Sequence, residues 1–165
     1  MADELTLSAG TATFGSTLGA ASLAQDAGIL NLNGAVTLEG DSTLRTVNLG
    51  NITLQNGDSA ITTLAGTFTS TGKTTVKSGV IALNTGNNLN AQSGTLTLDG
   101  DVDLLDDGLI QGAGQTVVLG DVSGPFALLL DGSGGKSFGQ ASKSVDIKNI
   151  QALVQADNSG DVAFF

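Results

Sequence analysis

Several kinds of side chain are missing from this chain. Its 165 residues include no Cys, His, Trp or Tyr, and only one Pro and one Met. Without Cys there is neither a disulfide nor a thiolate metal site, and without His the commonest acid–base group is absent. Six basic residues stand against sixteen acidic ones, a net charge of −10. That balance disfavours nucleic acid and anionic membranes as partners.

Long apolar runs and a leader are missing as well. No stretch reaches the length needed to span a membrane, and Asp3 and Glu4 follow Met1 directly, so no signal peptide is recognised. Met1 is the only Met, which is typical of an added start codon. We therefore expect an excised piece of a longer protein.

The residues that are abundant favour strands and turns. Hydrophobic residues make up 40% of the chain and Gly occupies 24 positions, while Thr, Val, Leu and Asn dominate the rest. Low hydrophobicity and high charge, the signature of disorder, are not found. The glycines do not recur at every third residue, which excludes collagen.

Short apolar–polar–apolar motifs followed by Gly recur along the chain. They begin at intervals of 22, 22, 22 and 21 residues, at Leu30, Ile52, Thr74, Leu96 and Val117. Two weaker strand motifs follow each of them. Three short strands per repeat, separated by Gly, Asn or Asp turns, describe one coil of a solenoid whose stacked coils bury a common core.

The repeat predicts an all-β fold, a parallel β-helix (β-solenoid) with about seven coils of about 22 residues, in which residues 1–165 form one domain. Inward side chains should then stack in ladders. One predicted ladder contains Leu30, Ile52, Leu96 and Val117, and the other contains Leu32, Leu54, Val76, Leu98 and Leu119. An antiparallel sandwich is the alternative fold, although it does not explain the constant phase.

The two ends of the chain are similar in sequence. The segment from Leu5 to Phe14 and the segment from Leu153 to Phe164 both form a strand, a turn and a second strand that ends in Phe. This similarity predicts that the chain is one unit of a tandem array. A competing interpretation makes residues 145–156 an amphipathic helix with Ile147, Ile150 and Leu153 on its apolar face.

The runs LNLNGAVTLEGDSTL, ELTLSAGTATFG and GTLTLDGDVDL resemble the β-strand repeats of filamentous haemagglutinin-like exoproteins and other large bacterial adhesins. The resemblance covers nearly the whole chain. It implies a right-handed parallel β-helix that is secreted or exposed at the cell surface. It also implies roles in adhesion, aggregation or biofilm formation, with an unidentified receptor on a host or neighbouring cell. The family supplies no catalytic residues to carry over.

Alternating carboxylates form the one candidate metal site. Asp99, Asp101 and Asp103 would lie on one side of a strand and offer hard oxygen ligands to calcium. The simpler interpretation places these side chains in water while Val102 and Leu104 face the core. We therefore expect calcium binding to be weak at most, and no other cofactor is indicated.

Two GK motifs imitate a phosphate-binding loop. Gly135-Lys136-Ser137 and Gly72-Lys73-Thr74 both lack the Gly that the loop requires five residues earlier, and neither leads into a helix. We interpret both motifs as turns.

Ice binding is a further possibility, because flat solenoid faces with regular outward Thr can match ice. The pairs Thr11/Thr13, Thr67/Thr69 and Thr95/Thr97, however, do not recur at one constant position of a 22-residue coil.

The sequence therefore predicts a non-catalytic, structural or adhesive segment of an exported bacterial protein. One alternative is a filament-forming solenoid whose molecules associate head to tail. Another is a polysaccharide-active or tailspike-like β-helix enzyme, which the six basic residues and the shortage of aromatics argue against.

Overall fold

The computed structural model describes residues 2–15, 18–25, 27–50, 52–139, 143–152 and 162–164. Its regular elements are all β-strands. The strands of the first half are β1 (Ala2–Leu7), β2 (Thr11–Phe14), β3 (Leu18–Gln25), β4 (Ile29–Leu32), β5 (Val36–Thr37), β6 (Ser42–Leu44), β7 (Val47–Leu49), β8 (Thr53–Gln55), β9 (Ile61–Leu64) and β10 (Thr67–Ser70). Those of the second half are β11 (Thr74–Leu83), β12 (Asn88–Ala91), β13 (Thr95–Leu104), β14 (Gly108–Gln111), β15 (Gln115–Val118), β16 (Val122–Leu130), β17 (Lys136–Phe138), β18 (Val145–Ala152) and β19 (Val162–Phe164).

The strands stack in three parallel columns, which we call faces I, II and III. Face I contains β1, β6, β9 and the parts of β3, β11, β13, β16 and β18 that pair with them. Face II contains β2, β4, β7, β10, β12, β14 and the later parts of β16 and β18. Face III contains β5, β8, β15, β17, β19 and the first parts of β3, β11 and β13.

The chain visits the faces in the order I, II, III and makes about seven turns. Every pairing between described strands is parallel, so the parallel β-solenoid is confirmed and the sandwich alternative is wrong. A parallel pair needs a crossover connection, and here each crossover is the remainder of one coil.

Alternation along each strand sends apolar side chains into a core that runs the length of the stack. Most inward side chains of the central coils are almost fully buried. On face III the inward column consists of Leu18, Val36, Leu54, Val76, Leu98, Val118, Phe138 and Phe164. On face II one inward column consists of Ala12, Leu30, Val47, Phe68, Leu89, Ile110 and Leu130.

The constant 22-residue phase is wrong, because coils average about 20 residues. Leu54, Val76 and Leu98 do stack at 22-residue steps as predicted. Leu30, in contrast, lies against Val47, 17 residues later, and Leu32 lies against Leu49. Shorter turns in the first coils shift all the earlier strands by a face.

The same effect ends the predicted ladders at their other end. Leu98 is followed at a 20-residue step by Val118, and Leu96 by Thr116. Val117 and Leu119, which were expected to face inward, lie between the buried positions and are half-buried.

The helix proposed for residues 145–156 is wrong where the structure describes it. Val145–Ala152 forms β18, which pairs with β16 through Val122 and Leu128. An apolar residue every third position is compatible with this strand because its register shifts once, where β16 is irregular between Gly124 and Ala127. The repeat that begins at Leu153 lies mostly outside the described residues, so the tandem-array interpretation stays a prediction.

Candidate functional site

The structure divides the candidate calcium ligands between two faces. Asp99 lies on face III in register with Lys77, whereas Asp101 and Asp103 lie on face I, in register with Val80 and Ala82. The chain turns the corner at Gly100, so the simple alternation of the three carboxylates is interrupted there. Among the described residues, no three acidic side chains are arranged to hold a metal ion. Calcium binding, expected to be weak at most, stays a prediction.

Carboxylates at the corner between faces III and I instead bind the next coil. Asp41 Oδ1 accepts a hydrogen bond from the Ile61 amide at 2.8 Å, and Asp101 Oδ1 accepts one from the Asp121 amide at 3.0 Å. Asp121 Oδ1 accepts one from the Ser144 amide at 2.6 Å. These bonds occupy backbone donors at the corner, and a charged acceptor strengthens them.

Lys143 connects two of these corner carboxylates. Its Nζ lies 3.2 Å from Asp101 Oδ1 and 3.4 Å from Asp121 Oδ2. The hydrogen bond to Asp101 and the charges of both aspartates raise the pKa of Lys143. The amide of Ser144 is the main cause of the lowered pKa of Asp121. All three side chains are exposed to solvent, so the ion pairs add little to stability.

Lys136 of the second GK motif points into the core. It is 1% exposed, and its Nζ donates a hydrogen bond to the carbonyl oxygen of Gly132 at 2.9 Å. Burial lowers the pKa of Lys136, and the charge of Asp131 partly opposes this effect. Thr116 lies beside it in register, and its buried Oγ1 has no hydrogen-bond partner. An inward lysine is not placed to hold a phosphate outside the solenoid, which agrees with the interpretation as a turn.

The other GK motif also belongs to a turn. Thr74 is buried, and its Oγ1 donates to the carbonyl oxygen of Gly50 at 2.7 Å and hydrogen-bonds Ser70 Oγ at 2.7 Å. Gly72 supplies a carbonyl oxygen that accepts from Ser70 Oγ at 3.1 Å. These contacts leave no cradle of amides for an anion.

A second polar network crosses the core, and the sequence did not indicate it. Thr62 Oγ1 accepts from Asn56 Nδ2 and donates to Ser78 Oγ, both at 3.0 Å. Ser78 Oγ then donates to the carbonyl oxygen of Ala60 at 3.0 Å. Buried polar groups need such partners, so the network is compatible with a structural role. An inward Thr in an otherwise apolar column was the only available signal.

Openings on the surface are shallow or lie at the first coil. An apolar opening of about 220 Å³ is lined by the inward side chains of that coil and the next, namely Leu5, Leu7, Ala12, Phe14, Leu23 and Leu30 with Thr6. A wider, open depression of about 510 Å³ lies beside Ile52, Thr53 and Lys73. Neither brings together a nucleophile, a base and a charged or metal electrophile, the combination that a hydrolytic site requires.

Comparison with known proteins adds no relative. No family model matches the chain, and no characterised protein or solved structure matches it significantly. Across the described residues, no helix is long and apolar enough to cross a membrane.

Proposed function

We propose that this chain is a structural and adhesive rod segment of a large exported bacterial surface protein, without catalytic activity. The observation that carries the proposal is the continuity of the stack. On each face, every described coil pairs with the next one, from β1 to β19. Regular stacking of this kind extends a surface away from its anchor while each coil needs only its neighbours for stability.

The sequence runs that resemble exported adhesins are the runs that build these coils. LNLNGAVTLEGDSTL supplies β4, β5 and β6, one strand for each face, and GTLTLDGDVDL supplies the long strand β13. Location at the cell surface, and a part in adhesion, aggregation or biofilm formation, follow from this resemblance. A spread of outward Thr, Asn and Asp side chains offers such a rod a polar surface for a receptor.

A bead assay tests the adhesive part of the proposal. Beads coated with the folded chain should bind bacterial or epithelial cells more than beads coated with an unrelated acidic protein of similar size and charge. Circular dichroism confirms that the chain on the beads was folded. Equal retention of both kinds of bead would overturn adhesion and leave only a spacer role.

Head-to-tail association is a second candidate, and the end coils of the 165-residue chain favour it. Strands β1 and β2 each pair on one side only, as do β18 and β19. Phe164 is 51% exposed and stacks on Phe138 with ring centroids 5.3 Å apart. The described strands begin on face I and end on face III, so a second copy in line would continue the order of faces. Such a contact does not close and gives filaments.

Light scattering and electron microscopy at rising protein and salt concentration test this association. Added salt should promote it by screening the −10 charge. Phe164→Asp should suppress it, whereas Ile61→Asp, which changes an apolar side chain 41% exposed on the flank of the rod, should not. A strictly monomeric protein at high concentration and high salt would overturn the candidate.

A further inference from the structure

Face II carries outward side chains without any charge along six successive coils. In register, the first outward row consists of Thr11, Ile29, Thr46, Thr67, Asn88 and Leu109, where Thr46 directly precedes β7. The second outward row consists of Thr13, Asn31, Asn48, Thr69, Asn90 and Gln111. Hydroxyl and amide groups dominate both rows, in a chain that has 22 charged residues elsewhere (6 basic and 16 acidic).

The register places two of the Thr pairs at one position of the coil. Thr11/Thr13 and Thr67/Thr69 both lie on face II, three coils apart, with Thr46/Asn48 in register between them. Their sequence spacing hid this because the first coils are shorter than 22 residues. Only the pair Thr95/Thr97 lies elsewhere, on face III.

The rows form a regular and fixed lattice. Coils repeat about every 4.8 Å, and outward neighbours two residues apart on a strand are about 6.6 Å apart. Asn31 Nδ2 donates to Thr13 Oγ1 at 3.2 Å, and Asn48 Nδ2 donates to Asn31 Oδ1 at 2.8 Å. Gln111 Nε2 donates to Asn88 Oδ1 at 2.9 Å. These bonds restrict the side chains before any ligand arrives, which lowers the entropic cost of binding.

The partner of such a face should be uncharged, flat and repetitive. We propose that face II binds the surface of ice. A crystal face of ice is a neutral lattice of donors and acceptors, and every hydroxyl and amide of the two rows can both donate and accept. Ammonium and carboxylate groups would hold their own hydration shells against that lattice, and face II has none over these coils.

Two other occupants fit the observations less well. A second copy of the chain would bury on the order of 400 Å² on each side if six coils and four residues of each strand take part. That is about half of the roughly 800 Å² per partner in a stable interface. A neutral polysaccharide normally stacks its sugar rings on aromatic side chains, and neither outward row contains one.

Ice recrystallisation and partitioning into a slowly growing ice hemisphere test the proposal. The chain should inhibit recrystallisation and enter the ice. Thr67→Lys, which places a charge in the middle of face II, should lose most of both activities. Thr53→Lys changes an equally exposed Thr on face III and should keep them. Circular dichroism spectra of the two variants should match that of the unchanged chain.

Three outcomes would overturn the proposal. The first is a folded chain without effect on ice at any accessible concentration. The second is an equal loss of activity in Thr67→Lys and Thr53→Lys, which would show that face II is not the surface involved. The third is binding to insoluble cellulose or chitin that Thr67→Lys abolishes while ice is unaffected, which would assign the face to a polysaccharide.

Discussion

At the scale of single residues, neighbouring positions on a strand have opposite surroundings. Leu98 is fully buried between Val76 and Val118 of the adjacent coils. Thr97, one residue earlier, lies in the outward row with Thr75 and Val117. The fold therefore predicts that the same substitution has very different costs at the two positions.

Leu98→Asp should destabilise the protein strongly, while Thr97→Asp should change its stability little. The first variant buries a carboxylate without a partner, which costs about 3–5 kcal/mol, and the second adds a charge at the surface. Thermal unfolding followed by circular dichroism measures the difference. Equal melting temperatures would contradict the inward and outward assignment of face III.

Lys136 predicts an unusual pH dependence. Since burial lowers the pKa of Lys136 in the folded state, the unfolded chain binds its proton more tightly, and the native protein gains stability as pH rises from the lowered value towards the ordinary lysine value. Lys136→Met should remove this cost. The variant should be more stable than the natural chain at pH 7.

The advantage of Lys136→Met should shrink as the pH approaches the ordinary pKa of lysine, about 10.4. Melting temperatures of both proteins across that range supply the measurement. Because Lys143, whose pKa is raised, is present in both, its opposite effect cancels in the difference. A difference that is independent of pH would mean that the Lys136 ammonium is not desolvated.

At the scale of elements, the corner between faces III and I decides how closely coils approach. Gly79, Gly100 and Gly120 lie at this corner in successive coils. A Cβ at Gly100 would overlap the carbonyl oxygen of Ser78, and one at Gly120 would overlap that of Gly100. Glycine is needed here for close approach of two backbones.

Gly100→Ala should therefore destabilise the solenoid by about 1–3 kcal/mol, the usual cost of overpacking. Gly50→Ala is the matched control, because a Cβ at Gly50 meets open space. It should be neutral or slightly stabilising, since alanine restricts the unfolded chain. Urea unfolding gives both free energies, and a Gly100→Ala variant as stable as Gly50→Ala would show that coils do not touch at this corner.

The sequence predicted the elements better than their phase. Strand motifs between Ile52 and Leu98 revealed the parallel coils because the turns there have constant length. The shorter coil between Leu30 and Val47 could not be seen, since a solenoid turn can lose residues while its strands keep their pattern. The inward position of Lys136 was hidden for a similar reason.

The candidate site shows the same limit. Alternation alone placed Asp99, Asp101 and Asp103 on one side of a strand, and the corner at Gly100 divides them. The hydrogen bonds of Asp41, Asp101 and Asp121 to the next coil depend on contacts about 20 residues apart, which no local pattern carries. The uncharged rows of face II became visible only once the register was known.

At the scale of the whole molecule, charge is distributed unevenly over the faces. Face I carries outward carboxylates of Glu4, Asp101 and Asp103, while the rows of face II carry none across six coils. This division depends entirely on which strands stack, so the register of the first coils is the central claim of the account.

Paired cysteines test that register most directly, because the natural chain contains no Cys. In the structure Asn31 and Asn48 are neighbours on face II, whereas a constant 22-residue coil would place Asn31 beside Thr53. Treatment with a short thiol-specific cross-linker, followed by mass spectrometry, should join the pair in Asn31→Cys/Asn48→Cys rapidly. It should join the pair in Asn31→Cys/Thr53→Cys slowly or not at all. Rapid linkage of the second pair and not the first would contradict the three-faced solenoid described above.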